Sequence, residues 1–579
     1  MMTSAMKKGL AMLLALCLVF GISACGAVEY ETFQLLPNEF LVGETVDASG
    51  VVQEGIEQYT QADIQRMNDG NANLVYGNEG YLSFLQGRFS DEKIENYEQA
   101  IEALRPMAEL LGMSAGSEFF AVYGTKDSQG YTYYTFQQRY GELTVAYAVL
   151  KIIIDPDGYT AGLSSSFVPN IGYAEASEDI GPEAAEAIVL EVQSGYDLTV
   201  YSEATHALAY SLYGQMVNAY AVYTNNPNSD ALDFDMKYYE HFVSFDGEYL
   251  ACYPVASFGT GNTDATRAEE YFDSLVSTDT QFIVTTWDGS TETITVPVAY
   301  NANNGKYYLA SVERRMAVGY YTDMAEYGLV SLVESENGTD WRNNDLLAYD
   351  RYIKAYDFYA SYGLNSVDGM GIPILIGTQM PEDNACYCGI QSGWAYFGTS
   401  DLNVYSEGMD VVGHEYTHGY TANSLTMHKY CGNTGAINEA FSDIIGNIIE
   451  MSYGMTDDTS WAIGENAGGV IRSQSDPEAY GQPTVVGDRY YADPEDLNYD
   501  NGGVHVNNSL LHQMAYKLYE EGLSLEEQSD LWMRTIEMLT PLSEYPEVLA
   551  ALKLSIDITG IDSAYKDFLT AAFDEAGLL

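Results

Sequence analysis

Positive charge is scarce in this sequence. Lys and Arg number 24 against 84 Asp and Glu over 579 residues, a formal net charge of −60 at pH 7. Such a chain is repelled by nucleic acid and by anionic lipid headgroups, which removes both as electrostatic partners. Clustered carboxylates can load calcium, although most of the charge reads as a solvated acidic surface. Cysteine is also rare, with six residues, and their spacing does not fit a four-cysteine zinc site. Beyond the N-terminus no apolar run is long enough to span a bilayer. Only seven histidines are present, so two of them four residues apart carry information. What is plentiful is core material: hydrophobic residues make up 46%, including 50 Tyr, enough to exclude disorder and to fill roughly three or four domains.

The first 24 residues are an export signal. Lys7-Lys8 precede an apolar run over 9–24, which suits a signal peptide and is short for a membrane span. The end of the run, Ile22-Ser23-Ala24-Cys25-Gly26, resembles a bacterial lipobox, which makes Cys25 a lipidation site; plain cleavage after Ala24 is the alternative. Both readings give an exported protein, a cell-surface lipoprotein as precursor in the first case. Cys252, Cys386, Cys388 and Cys431 remain, and some can pair outside the cell.

Residues 25–258 hold no catalytic constellation. Helical spacing over 91–111 is broken by Pro106, and 131–167 alternate like paired strands around Asp155-Pro156-Asp157-Gly158. A helix is expected over 181–195, with strands returning through Asp246-Gly247 to Ala251. The stretch YYTFQQRYGELTVAYAVLKIIIDPDGYTAGLSSSFVPN (133–170) resembles the propeptide of fungalysin- and thermolysin-type peptidases. The piece ending FVSFDGEYLACYP resembles the small module that follows it. An unrelated binding domain ahead of an enzyme is the alternative. The division expected is 25–175 and 176–258 as two propeptide modules, then 259–281 as a polar linker with the maturation site.

The catalytic signal begins at His414-Glu415-Tyr416-Thr417-His418. On a helix, residues four apart share a face, so both imidazoles can hold one zinc ion with Glu415 beside it as base. A bare HExxH is also met by charged helix turns, so the next segment matters. Gly435-Ala436-Ile437-Asn438-Glu439-Ala440-Phe441-Ser442-Asp443 follows, with Glu439 and Asp443 one turn apart on a helix too apolar to be exposed. Those acids need a partner: Glu439 as third ligand, and Asp443 bonded to the far nitrogen of His414. The HEYTH helix is expected to start near Ser406, with Asn423-Ser424 just past its end, and another helix is expected over 346–362.

HExxH followed by ExxxD at this range resembles the thermolysin family of neutral metallopeptidases, and the likeness runs from about Thr285 to the C-terminal AFDEAGLL. It implies an α+β fold: a β-rich lobe (282–425) and a mainly helical lobe (426–579), with the zinc helix between them. It implies a zinc-dependent endopeptidase that acts on extracellular polypeptides and prefers a bulky hydrophobic residue after the scissile bond. Site roles follow by matching segments. In Asp500-Asn501-Gly502-Gly503-Val504-His505, His505 stabilises the oxyanion and Asp500 orients it. Tyr430 binds the oxyanion, Arg472 the substrate carbonyl, and Asn384-Ala385 the substrate backbone. Val411 and Ile471 line the apolar pocket, and Asn438 joins Asp443 around the ligands. Asp410, Glu450 and Glu465 match calcium ligands, but Ser460 and Ala462 replace acids, which implies one structural calcium, with Asp457 or Asp458 helping. The resemblance makes the N-terminal half an inhibitory, fold-assisting prosegment of a monomer. It is released by self-cleavage within 275–283 and touches the membrane only through its lipid.

If Asn384 and Tyr430 line one cleft, Cys386 or Cys388 is placed to bridge Cys431, with free thiols as the alternative. His206, His241, His428 and His512 have no partner pattern and are expected to be ordinary. Two other readings compete: a non-catalytic surface lipoprotein on the same scaffold, and a different HExxH metalloenzyme.

Overall fold

The computed structural model describes residues 35–38 and 55–579, apart from internal gaps of which the longest are 226–237, 255–271 and 321–331. Cys25, Asp457, Asp458, Ser460 and His428 lie outside the described residues, as do the side chains of His206, Cys252 and Cys388. Among the described residues no helix is long and apolar enough to cross a membrane.

The N-terminal half is built on antiparallel ribbons. Ser117–Asp127, Thr132–Tyr140, Leu143–Ile154 and Thr160–Ser165 pair in succession, and their apolar face closes on the helix Tyr97–Leu104 through Ile101, Leu104, Phe119, Phe136 and Ile152. The expected break at Pro106 is a 3₁₀ turn over Arg105–Met107, and the helix begins at Tyr97 rather than at 91. A second core forms where the helix Pro182–Val192 packs on Met216–Asn225 and Tyr238–Ser244. His241 is buried here, its ring nitrogens 2.8 and 2.9 Å from the Thr224 and Tyr249 hydroxyls, and burial pushes its pKa down to about 4.

The N-terminal half docks on two helices of the C-terminal lobe, Leu525–Met538 and Tyr545–Thr559. Phe84, Tyr133 and Ile153 join the main catalytic core. Arg534, fully buried, pairs with Asp127 and lies 2.5 Å from the Tyr133 hydroxyl. Lys151 Nζ donates to the Glu537 carbonyl at 2.9 Å, and Ser83 donates to Glu547 at 2.5 Å.

The β-rich lobe begins with Leu275–Thr285, paired along its whole length with Thr291–Asn301. The expected linker therefore ends earlier than 281, and the expected cut within 275–283 would fall inside a fully paired strand. Lys306–Ser311 and Met316–Tyr320 extend the sheet antiparallel. The alternating stretches 291–300 and 306–315 read as antiparallel strands and pair so, whereas Met316–Tyr320, Ile374–Met380 and Gly393–Gly398 run parallel. The reason is the helix Asn343–Ser361, which carries the chain back across the sheet between the first two of these strands. Ala385–Cys388 pairs antiparallel with Gly393–Gly398 at the sheet's end.

Behind that edge lies the histidine helix, Met409–Asn423. It starts three residues after Ser406, whose buried hydroxyl caps nothing, and it includes Asn423. It crosses the acid helix, Gly432–Ser452, at two facing glycines. A Cβ on Gly446 would lie 2.4 Å from the Asp410 carbonyl oxygen, and one on Gly413 would lie 3.0 Å from the Gly446 Cα. Glycine at both positions lets the backbones touch, which sets how closely the side chains one turn away can meet.

Gly446→Ala is expected to cost about 1–3 kcal/mol by overpacking, read by thermal unfolding. Gly469→Ala, where a Cβ meets nothing within 4 Å, is the control and should change little. A second expectation concerns pH. His241 takes up a proton near 6.5 when unfolded and only near 4 when folded, so its contribution is present above the first value and lost as pH falls through the window. Stability of the N-terminal half should fall across that window, and less steeply in His241→Phe.

Candidate active site

Four segments converge on the crossing. The histidine helix supplies His414, Glu415 and His418, and the acid helix supplies Asn438, Glu439 and Asp443. Tyr430 comes from the turn before the acid helix. His505 comes from the segment Asp500–Asn507, whose first four residues are left-handed: Asp500 (φ 48°), Asn501 (51°), Gly502 (89°) and Gly503 (75°). Asp, Asn and Gly tolerate that conformation best, which explains the composition of DNGGVH. The turn folds Asp500 under His505, so that its carboxylate accepts from the His505 backbone N–H at 2.8 Å and from Nδ1 at 2.7 Å.

The histidine tautomers are set by what lies behind the rings. His414 Nδ1 donates to Asp443 Oδ1 at 2.9 Å, and His418 Nδ1 donates to Asn438 Oδ1 at 2.9 Å. Each Nε2 therefore presents a lone pair. Those two nitrogens are 2.9 Å apart, and Glu439 oxygens lie 3.0 Å from His418 Nε2 and 3.4 Å from His414 Nε2. Acceptors facing one another in a buried site require a cation between them. Two imidazoles and a carboxylate, with hydrogen-bonded second nitrogens, are a donor set for catalytic zinc, and this group fits a zinc site. Glu415 stands beside it, buried, with Oε2 lacking a hydrogen-bond partner.

Across from the histidines, the Tyr430 hydroxyl donates to Glu439 and lies 3.2 Å from His505 Nε2. Burial alone would lower the His505 pKa, but the Glu439 and Asp500 carboxylates outweigh it and raise the group to about 9. Burial works to raise Glu439, and the His505, His418 and His414 rings around it hold it well below the usual carboxylate range. Burial likewise opposes ionisation of Asp443, which Arg472 and its histidine partners keep far below that range. Arg472 grips Asp443 with two bonds of 2.7 and 2.8 Å and reaches Glu439 at 3.5 Å.

The remaining site residues line the approaches. Asn384 is exposed at the head of the sheet's end strand, its side-chain oxygen accepting from the Ala385 N–H at 2.9 Å. Val411 packs with Ile463 and Ala467, with Ala385 and Tyr405 against them. Ile471 hydrogen-bonds the Ile463 carbonyl at 2.7 Å and leaves 43% of itself exposed. Asp410, Glu450 and Glu465 form a second acidic cluster. Burial, then Glu465, raises Asp410 to about 7, and burial, then Asp410, raises Glu450 to about 10.

Two expectations are corrected. Cys431 is a buried free thiol, so no bridge joins it to Cys386 or Cys388. His512 is not an ordinary histidine: it is completely buried, with Nδ1 2.9 Å from Asp443 Oδ2. Asn508, donating to the same oxygen at 2.7 Å, was also missed. Their spacing of four on the segment after His505 was the available signal.

Residues 285–422 match the thermolysin metallopeptidase catalytic domain, and residues 427–578 match the alpha-helical domain of the same family. The chain is similar to thermolysin of Alicyclobacillus acidocaldarius, 27% identical over 512 residues that cover 81% of this chain and 87% of that protein. Bacillolysin of Bacillus cereus is 35% identical over 205 residues, 32% of this chain and 35% of its own. Gelatinase of Enterococcus faecalis is 29% identical over 249 residues, 40% and 46% of the two chains. The protein is therefore a metalloendopeptidase with a thermolysin-like α+β catalytic unit. It belongs to the thermolysin family.

Proposed function

We propose that the protein is an exported zymogen that hydrolyses peptide bonds on the amino side of bulky hydrophobic residues in extracellular polypeptides. The observation that carries the peptidase reading is the facing set of acceptors His414 Nε2, His418 Nε2 and Glu439, with the partnerless Glu415 oxygen beside it. These three side chains would hold one zinc ion, which when bound polarises the scissile carbonyl and acidifies water.

The substrate backbone lies along the end strand at Asn384 and Ala385, with its following side chain in the apolar pocket of Val411 and Ile471. Glu415 takes a proton from the water whose oxygen attacks the carbonyl carbon. The hydroxyl of Tyr430 and Nε2–H of His505 donate to the oxyanion that forms, with Asp500 keeping the His505 proton on the correct side. Arg472, anchored on Asp443, steadies the substrate carbonyl. Glu415 then returns its proton to the departing nitrogen as the C–N bond breaks, and the water's second proton follows the same route, leaving a carboxylate and a protonated amine.

The signal over 1–24 and a lipid on Cys25 would put the precursor at the cell surface. The N-terminal half serves as intramolecular chaperone and inhibitor. Cleavage ahead of the Leu275–Thr285 strand then frees a monomeric catalytic unit into the medium, since the lipid is carried by the prosegment. Asp410, Glu450 and Glu465 hold one structural calcium, whose charge offsets three crowded carboxylates.

Glu415→Gln should bind zinc as the wild type does and lose casein hydrolysis; full activity in that variant would refute the mechanism. For the second cluster, calcium at about a hundred times its dissociation constant should stabilise the protein by about 2.7 kcal/mol in thermal unfolding. Asp410→Asn should abolish that gain.

A further inference from the structure

Asp443 collects more hydrogen bonds than its obvious partner needs. Oδ1 accepts from His414 Nδ1 at 2.9 Å and from Arg472 at 2.7 Å. Oδ2 accepts from Arg472 at 2.8 Å, from Asn508 at 2.7 Å and from His512 Nδ1 at 2.9 Å. Arg472 could satisfy both oxygens alone, as a planar fork against a planar carboxylate. In that pairing nothing stops the carboxylate following the guanidinium, which is 13% exposed. The two donors from the far side prevent this. They fix Oδ2 from within the core, so Oδ1 stays in line with the His414 ring.

We propose that His512 is a positioning residue for the metal centre, holding Asp443 so that His414 presents its Nε2 lone pair to the ion. The inference deepens the zinc reading above and rests on it. Its geometry is specific. The His512 proton must be on Nδ1, because Asp443 Oδ2 only accepts. Nε2 is then buried with no hydrogen-bond partner, a cost that an apolar side chain of the same size would not incur. A residue there for packing alone would not be an imidazole. The site is braced further: Gln482 Nε2 donates to Asn508 Oδ1 at 2.8 Å and to the His505 carbonyl at 2.7 Å, so the same bonds tie Asp443 to the segment carrying His505.

The test uses the full chain carrying Glu415→Gln, so that self-cleavage does not confound it, with zinc affinity read by competition against a chelating indicator. His512→Leu should weaken zinc by about 10–100-fold. His512→Asn places an amide N–H where Nδ1–H was, and should recover most of that loss. Thermal unfolding of the zinc-free proteins reports any packing defect separately. Unchanged affinity in the leucine variant, or an equal loss in the asparagine variant, overturns the proposal. If the leucine variant does not fold, nitrogen NMR of the histidine-labelled parent decides: a neutral His512 protonated on Nδ1 is expected, and protonation on Nε2 overturns it. A parent that takes up no zinc overturns the zinc reading itself.

Discussion

Everything at this site depends on two helices approaching more closely than side chains normally allow. The histidine and acid helices touch at Gly413 and Gly446, where a single added methyl on Gly446 would lie 2.4 Å from a backbone oxygen. One turn along from that contact, His414 and His418 meet Glu439 and Asp443. Were the helices held apart by ordinary residues at the crossing, the imidazoles and carboxylates would hydrate separately. Close approach forces them into one buried volume, where like acceptors face each other and a cation becomes the resolution. The metal site is thus as much a product of missing side chains as of those present.

That crowding has an electrostatic logic. A fully buried carboxylate is costly unless it is paired and hydrogen-bonded. Glu439 and Asp443 are both fully buried and both ionised, the first held by surrounding imidazoles, the second by Arg472 and imidazole N–H groups. The second cluster contrasts with it. Among the described residues Asp410 and Glu450 have no cationic side chain to ionise against, and their pKa values rise instead. Two acid clusters at the same helix crossing therefore have opposite surroundings, one faced by the chain's own basic side chains and one faced, among the described residues, only by further acids and amides.

Much of this was legible in the sequence, because catalytic chemistry fixes residue type and spacing together. The i, i+4 pairs His414/His418 and Glu439/Asp443 predicted which atoms meet, and the His414–Asp443 bond is where the spacing put it. The helices expected over 181–195 and 346–362 were also clear, within a few residues at their ends, while that over 91–111 spans only Tyr97–Leu104. The parallel strands were not, since alternation along a strand does not report the direction of its neighbour; the crossover helix decides that. Ser406 failed as a cap because it lies inside the turn 405–407 that precedes the helix, two residues short of its entry. His512 was hidden for another reason. Its partner is 69 residues away and is reached only through tertiary packing, which no local pattern encodes.

The docking face between the two halves has a kinetic meaning. Arg534 with Asp127, and Lys151 on the Glu537 carbonyl, are sealed from solvent, so ionic strength screens them little. A scission ahead of Leu275 severs one covalent link and leaves every one of these contacts in place. Parting would then demand that two buried cations be rehydrated at once, a barrier in the unbinding step. If the chain is cut there, nicking and liberation are separate events with separate clocks, and the interval between them is set on helices of the helical lobe that supply none of the metal-binding residues.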